Sequence, residues 1–192
     1  TAASSTDPPS GMISERSANR GACAQSCRKD YVLTDATTGA ELDRGYLISA
    51  RDLAAGEHLD AIAEAGIGCL KIEGRKKKPE YVATVTRTYR DFLDRLATGQ
   101  WVPPSEPEIQ PLVQIFSRGF TGGMYGGRAG REYITRDQPD NRGAVLGHVT
   151  GHEGRDLLVT VTTPIGIGDG LGFEHPAGAQ QGNTGFAVSR VR

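Results

Sequence analysis

Apolar residues are spaced unevenly along this 192-residue chain, and the clearest rhythm lies near its middle. Val82, Val85, Tyr89, Phe92, Leu93 and Leu96 recur every three or four residues. That interval lines one side of an α-helix, so the pattern predicts a helix over residues 79–97. Pro79 suits its first position, where no amide donor is needed, and Gly99 closes it.

Upstream the runs are shorter. Residues 30–33 and 45–48 have β-type character and are separated by a Thr37-Thr38-Gly39 turn. Ser49-Ala50-Arg51-Asp52 has the S-x-x-D form of a capping box. A helix carrying Leu53, Leu59, Ile62 and Ala63 on one side is expected after it, ended by Gly66. Residues 69–73 have the length and flanks of a buried strand, with Cys69 as a small strand residue. Strand, helix, strand, helix in that order signals βα units.

Residues 101–107, with three prolines, read as a rigid connector. From about Asn141 the texture changes again. Residues 144–149, 156–161 and 170–173 alternate with a period near two, and turn residues stand between them. Residues 1–15 show no periodicity and read as disordered linker. The expected organisation is an α/β core over residues 16–135 followed by a small β domain over 141–192.

Composition narrows the function classes. A net charge of −1 argues against bulk attraction to nucleic acid and leaves room only for a local basic patch. Glycine, at 26 residues, implies that loops occupy much of the chain. Three cysteines without a regular framework fit a reducing compartment better than a secreted disulfide scaffold. No charged leader with an apolar core opens the chain, and nothing nears the ~18 apolar residues of a membrane span. The expectation is a cytoplasmic protein without a membrane partner. An opening without Met and an ending inside a strand-like run read as a fragment of something larger.

Candidate chemistry is concentrated in four places. Cys23 and Cys27 stand on a C-x-x-x-C spacing beside Gly21, between Arg20 and Arg28. Neighbouring cations favour thiolate, the reactive and metal-binding form, although two such residues also suit a place beneath a loop. Lys71, Glu73 and Arg75 would alternate onto one face of a strand end. There they would bind a carboxylate or phosphate and move a proton, or form a surface ion-pair ladder.

The basic run Arg75-Lys76-Lys77-Lys78 precedes the helix at Pro79. Cations are unfavourable at a helix N-terminus, so the run invites an anionic partner or stays solvated. Arg118-Gly119-Phe120-Thr121-Gly122-Gly123 supplies a flexible loop with one aromatic, suited to covering a ligand or a base, or simply to a tight turn. No H-E-x-x-H helix or G-x-S-x-G elbow is present. His58, His148, His152 and His175 are scattered, without metal-ligand spacing.

Four ordered stretches resemble one family. Residues 16–28, 44–53, 70–75 with 79–84, and 118–123 are similar to the collagenase-like peptidase family U32. The resemblance implies the last part of a (β/α)-barrel, followed by part of a small β-barrel like the second domain of translation factors. In that barrel Lys71, Glu73 and Arg75 would sit at a carboxyl edge, where such folds carry catalytic groups.

The family is named for proteolysis, and some members resemble iron–sulfur proteins that hydroxylate RNA bases with a prephenate-derived group, or hydroxylate ubiquinone precursors. The resemblance makes Cys23 and Cys27 cluster ligands, Lys71, Glu73 and Arg75 catalytic, and Lys76, Lys77, Lys78, Arg118 and Phe120 contacts for rRNA, tRNA or another ligand. A peptide substrate is the alternative, and an inactive binding fragment is a third reading. Family members carry two further cysteines upstream, where this chain has Ser10-Gly11-Met12-Ile13-Ser14. The missing ligands and barrel half would then come from elsewhere in a longer protein or from a partner chain.

Overall fold

A computed structural model describes residues 2–4, 23–74, 77–125, 130–136, 138–174 and 184–192. The chain divides into two compact units, residues 1–143 and 144–192. The architecture is mixed α/β with small sheets, and no closed barrel forms among the described residues.

The first unit opens with an antiparallel sheet of β1 (Ala2–Ser4), β2 (Tyr31–Thr34) and β3 (Glu41–Gly45). Residues 2–4 are thus a strand where the sequence reads as linker, because their backbone pairs with Val32, Leu33 and Thr34. Residues 5–15 lie outside the described residues. The turn between β2 and β3 is held by Asp35, whose carboxylate accepts the amides of Thr37 and Thr38 at 2.8 Å. That Asx turn places β3 at residues 41–45 rather than 45–48.

The expected helix cap at Ser49 is overturned. Asp52–Leu53 form β4, which pairs in parallel with β5 (Phe120–Thr121). Ser49 is fully buried, and its hydroxyl meets that of Thr135 at 3.0 Å. Its backbone is committed as well, since the Thr135 amide donates to the Ser49 carbonyl at 2.7 Å. A side chain engaged that far along the sequence has no part in capping a local turn.

Three helices lie between the two parallel strands. α1 (Leu59–Glu64) is short, α2 (Pro79–Ala97) has the bounds its periodicity predicts, and α3 is Glu106–Ile115. Leu59, Ile62 and Phe92 form the buried centre, with Tyr89, Leu93, Leu96, Trp101 and Ile109 packed around it. Burying one such side chain contributes roughly 1.5–3 kcal/mol, so this α1–α2–α3 cluster anchors the unit.

Within the α2 stripe, Val82 is exposed. α3 takes the last two residues of the expected connector, Glu106 and Pro107, while residues 101–105 carry no helix or strand. Its first turn is closed by Glu108, whose carboxylate accepts the amide and hydroxyl of Ser105 at 2.8 and 2.7 Å. The segment read as a buried strand, residues 69–73, takes no strand pairing, and Cys69 is exposed.

The second unit contains two antiparallel hairpins. β6 (Gly147–Glu153) pairs with β7 (Asp156–Val161), with a bulge near Thr150, and β8 (Gly170–Phe173) pairs with β9 (Thr184–Ala187). At Gly147, with φ of +157°, a Cβ would stand 1.8 Å from the Thr160 carbonyl oxygen, so only glycine fits. Val149, Leu157, Leu158 and Phe186 are exposed, whereas Val188, which follows β9, is buried. No helix among the described residues is long and apolar enough to cross a membrane.

Candidate functional site

The parallel pair β4–β5 positions a partly buried ion pair of the first unit. Asp52 accepts the Arg118 amide at 2.9 Å and its Nε at 3.1 Å, and the guanidinium NH2 closes the pair. Both side chains are about four-fifths buried, at 19% and 21% exposure. Arg118 therefore reaches this place because the register Asp52↔Phe120 sets its neighbour in the sheet.

Two more cations gather there. Arg28 closes the cysteine loop and donates through one terminal nitrogen to the Ser49 hydroxyl and the Ala50 carbonyl, both at 2.6 Å. Burial lowers its pKa, and Arg118 lowers it further, while Cys27 and Asp52 oppose the shift. Lys77 precedes α2 and lays its ammonium 2.7 Å from the centre of the Phe116 ring and 5.6 Å from that of Tyr81. Arg118 lies 5.5 Å from the same Phe116 ring.

Desolvation is the main reason that the Lys77 pKa falls to about 8; Arg118 and Arg28 reinforce it and Asp52 resists. Burial also raises the Tyr81 pKa, with Asp52 contributing. Arg28, Lys77 and Arg118 thus lie within electrostatic reach of one another and of Asp52, and Glu73 reaches Tyr81. An aromatic face shelters one cation, which is attractive but does not balance its charge.

The cysteine loop has its own local order. Gln25 takes a left-handed conformation (φ 56°), and its amide donates to Cys23 Sγ at 3.3 Å. A single 3-10 turn, Ser26–Arg28, follows, and the hydroxyl of the buried Tyr31 holds the Ser26 carbonyl at 2.9 Å. Cys23 is half-buried and Cys27 exposed. An iron–sulfur cluster usually takes four thiolates. Among the described residues no group of three or more His, Cys, Asp or Glu could hold a metal ion.

The remaining candidates are dispersed. Lys71 and Glu73 face each other at 3.9 Å with both side chains exposed, on a segment without strand pairing rather than at a strand's carboxyl end. Arg75 and Lys76 lie outside the described residues. Lys78 is exposed at the N-cap of α2, and Phe120 is half-buried in β5. His58 is covered by the Gly122 loop: its ring lies 5.3 Å from that of Tyr125, and a Cβ on Gly122 would stand 2.7 Å from Nε2. His148 and His152 are exposed on β6, and His175 lies outside the described residues.

Sequence reasoning singled out Lys77 and Arg118 but missed the partners that join them, Asp52, Phe116 and Tyr81. Asp52 was hidden inside an apparent helix cap. The one available signal was the adjacency of Phe116 to the Arg118 loop.

Comparison with known proteins places the chain in a family. The chain is 39% identical over 126 residues to a collagenase of Porphyromonas gingivalis, covering 62% of the chain and 30% of that protein. It is 34% identical over 170 residues to the 23S rRNA 5-hydroxycytidine C2501 synthase of Escherichia coli, covering 81% of the chain and 25% of that protein. Over 232 aligned positions it is 24% identical to tRNA hydroxylation protein P of E. coli, covering 95% of the chain and 50% of that protein. The chain thus spans between a quarter and a half of these relatives. No solved structure matches it. The profile described as peptidase family U32 matches residues 2–135, and the chain belongs to that family.

Proposed function

We propose that the intact protein hydroxylates a base in rRNA or tRNA. The observation that carries this reading is the reach of the alignments. Those extending over 81% and 95% of the chain, and hence into the second unit, are with proteins named for rRNA and tRNA hydroxylation. The collagenase alignment covers 62% of the chain.

In this reading Cys23 and Cys27 supply two thiolates of an iron–sulfur cluster, with the Gln25 amide donating to Cys23 Sγ. When bound, the cluster would supply one-electron chemistry. The other thiolates and the rest of a (β/α)-barrel would come from the remainder of a longer protein or from a partner chain. The exposed Lys78, with Arg75 and Lys76 beside it in sequence, would meet the RNA backbone as a local patch on a chain of nearly neutral charge. Lys71, Glu73 and Arg75 would steer an acidic ligand such as prephenate.

The test compares RNA from cells with and without the intact gene. Loss of one hydroxylated nucleoside, read by mass spectrometry of digested rRNA and tRNA, is the expected result. Unchanged RNA, together with gelatin cleavage by purified intact protein that disappears on replacing Cys23 or Cys27, would overturn it in favour of peptide hydrolysis.

A further inference from the structure

β4 and β5 run parallel, so both strands end on the same edge. In α/β proteins the groups that meet a ligand gather beyond the carboxyl ends of such strands. The chain leaving β4 carries His58, and the chain leaving β5 carries Tyr125. Their rings stand 5.3 Å apart, inclined at 44°. Both segments are fixed. On the β4 side, Leu59 is buried in the core and the Ala55 amide donates to the Tyr89 hydroxyl at 3.0 Å. On the β5 side, two glycines let the loop close over its neighbours. A Cβ on Gly122 would stand 2.7 Å from His58 Nε2, and one on Gly123, where φ is +63°, would stand 2.8 Å from Leu53 Cδ1. The loop is also tied to itself: Thr121 Oγ1 accepts the Gly123 amide at 3.1 Å, and the Gly122 carbonyl accepts the Tyr125 amide at 3.3 Å. Held this closely, it still leaves Met124 and Tyr125 exposed, with Leu53 exposed beside Gly123.

We infer that Tyr125, braced by His58, receives one unpaired base of the RNA by stacking on its face, an inference that rests on the RNA hydroxylation reading and adds to it the place where a base is held. Chemistry on a base requires that base to leave its stack and lie against aromatic or apolar side chains. Tyrosine and histidine are among the rings on which unstacked bases settle. Charge agrees with a base rather than a phosphate. Glu57 and Asp60 flank His58 in the chain, and two carboxylates there disfavour an anion while leaving the uncharged face of a base unopposed. Phe120, the ring that the sequence marks near this loop, is half-buried in β5, so the exposed Tyr125 takes that part.

The test titrates a short single-stranded RNA carrying 2-aminopurine, whose fluorescence falls when the base stacks, with the full 192-residue chain. Saturable quenching is expected. Tyr125→Phe keeps the ring and should hold affinity within about twofold, whereas Tyr125→Leu keeps apolar bulk alone and should weaken binding about tenfold, the scale of one lost base–aromatic stack. That ratio should persist between about 50 and 200 mM salt, because stacking releases no counterions. Gly122→Ala, which forces the loop off His58, should also reduce the quenching. Irradiation of the wild-type chain with RNA carrying 4-thiouridine should crosslink a peptide containing Tyr125, a readout that needs no variant to fold.

The proposal is overturned if the base is not quenched, if Tyr125→Leu binds as the wild type does, if Tyr125→Phe falls as far as Tyr125→Leu, if the crosslink lies elsewhere, or if a collagen peptide binds and RNA does not. In cells lacking the gene, the intact protein with Tyr125→Leu should restore much less of the hydroxylated nucleoside than the wild type restores. Full restoration would remove the base platform and leave the hydroxylation reading standing. RNA unchanged by loss of the gene would remove the hydroxylation reading, and the quenching titration would still decide the platform.

Discussion

Asp52 and Arg118, 66 residues apart in sequence, are locked together by a side-chain ion pair and by the Arg118 amide donating to the same carboxylate. The parallel register of two-residue strands makes that double contact available. Removing the charge of one partner leaves the other desolvated and short of its acceptor. Asp52→Asn should destabilise the first unit by about 1–3 kcal/mol, in the range for lost hydrogen bonds to charged groups. Urea denaturation followed by the fluorescence of Trp101 would measure it, and a change under 0.5 kcal/mol, the usual range for surface substitutions, would make the pair incidental.

A second expectation concerns pH. Lys77 gives up its proton near pH 8 in the folded chain but holds it to about 10.5 when unfolded. Between those values the unfolded state binds more protons, so this group makes folding stability rise with pH. Lys77→Met should remove that rise, leaving a flatter profile from pH 8 to 10.5 than in the wild type. Parallel chemical denaturation of the two proteins checks the slope. Identical profiles would mean that Lys77 titrates normally.

The helix-capping assignment at Ser105 gives a third. Ser105→Ala removes the hydroxyl that Glu108 accepts, and should cost about 1 kcal/mol, a typical value for a lost cap. The Glu108 pKa is lowered chiefly by its hydrogen bonds from the Ser105 hydroxyl and amide. Its contribution is therefore present above the ordinary carboxylate range and fades as pH falls through the folded value. The difference between wild type and Ser105→Ala should shrink under acid conditions, as thermal denaturation at pH 7 and pH 3 would show.

The core offers the largest effect. Phe92 is 2% exposed and packs with Leu59 and Ile62, and a Cβ added at Gly56 would stand 3.4 Å from its ring. Phe92→Ala should cost about 3–5 kcal/mol, the transfer of the ring plus the cavity left behind. Calorimetric unfolding would record it, whereas Val82→Ala, on the exposed part of the same helix, should change little.

What the sequence discloses depends on the range of the interaction. α2 is legible to the residue because its stripe and its Pro79 start are local signals. The start of α3 is obscured by Pro107, which closes the proline-rich run read as a connector, although Ser105 and Glu108 carry a local cap signature. Ser49 misleads in the opposite direction: its spacing to Asp52 imitates a cap, while its hydroxyl is turned toward Thr135, 86 residues away. The segment around Lys71 and Glu73 has strand composition but no partner strand among the described residues, so composition alone could not decide it. Lys77 and Arg118 are visible as cations. Their meeting over Phe116 depends on a strand pairing that no local pattern encodes.

The shortness of that pairing has a kinetic consequence. β4 and β5 contribute two residues each and enclose all three helices between them. α1, α2 and α3 can form and collapse through near-neighbour contacts, whereas joining the two strands requires closing the whole intervening loop for little backbone reward. The expected folding order is helices first and strands last, with Asp52 and Arg118 meeting after the main barrier. Interactions absent from that barrier act on unfolding rather than folding. Loss of the Asp52–Arg118 pair would then speed the opening of the first unit and leave its rate of formation nearly unchanged, so the pair acts as a latch on a fold already made.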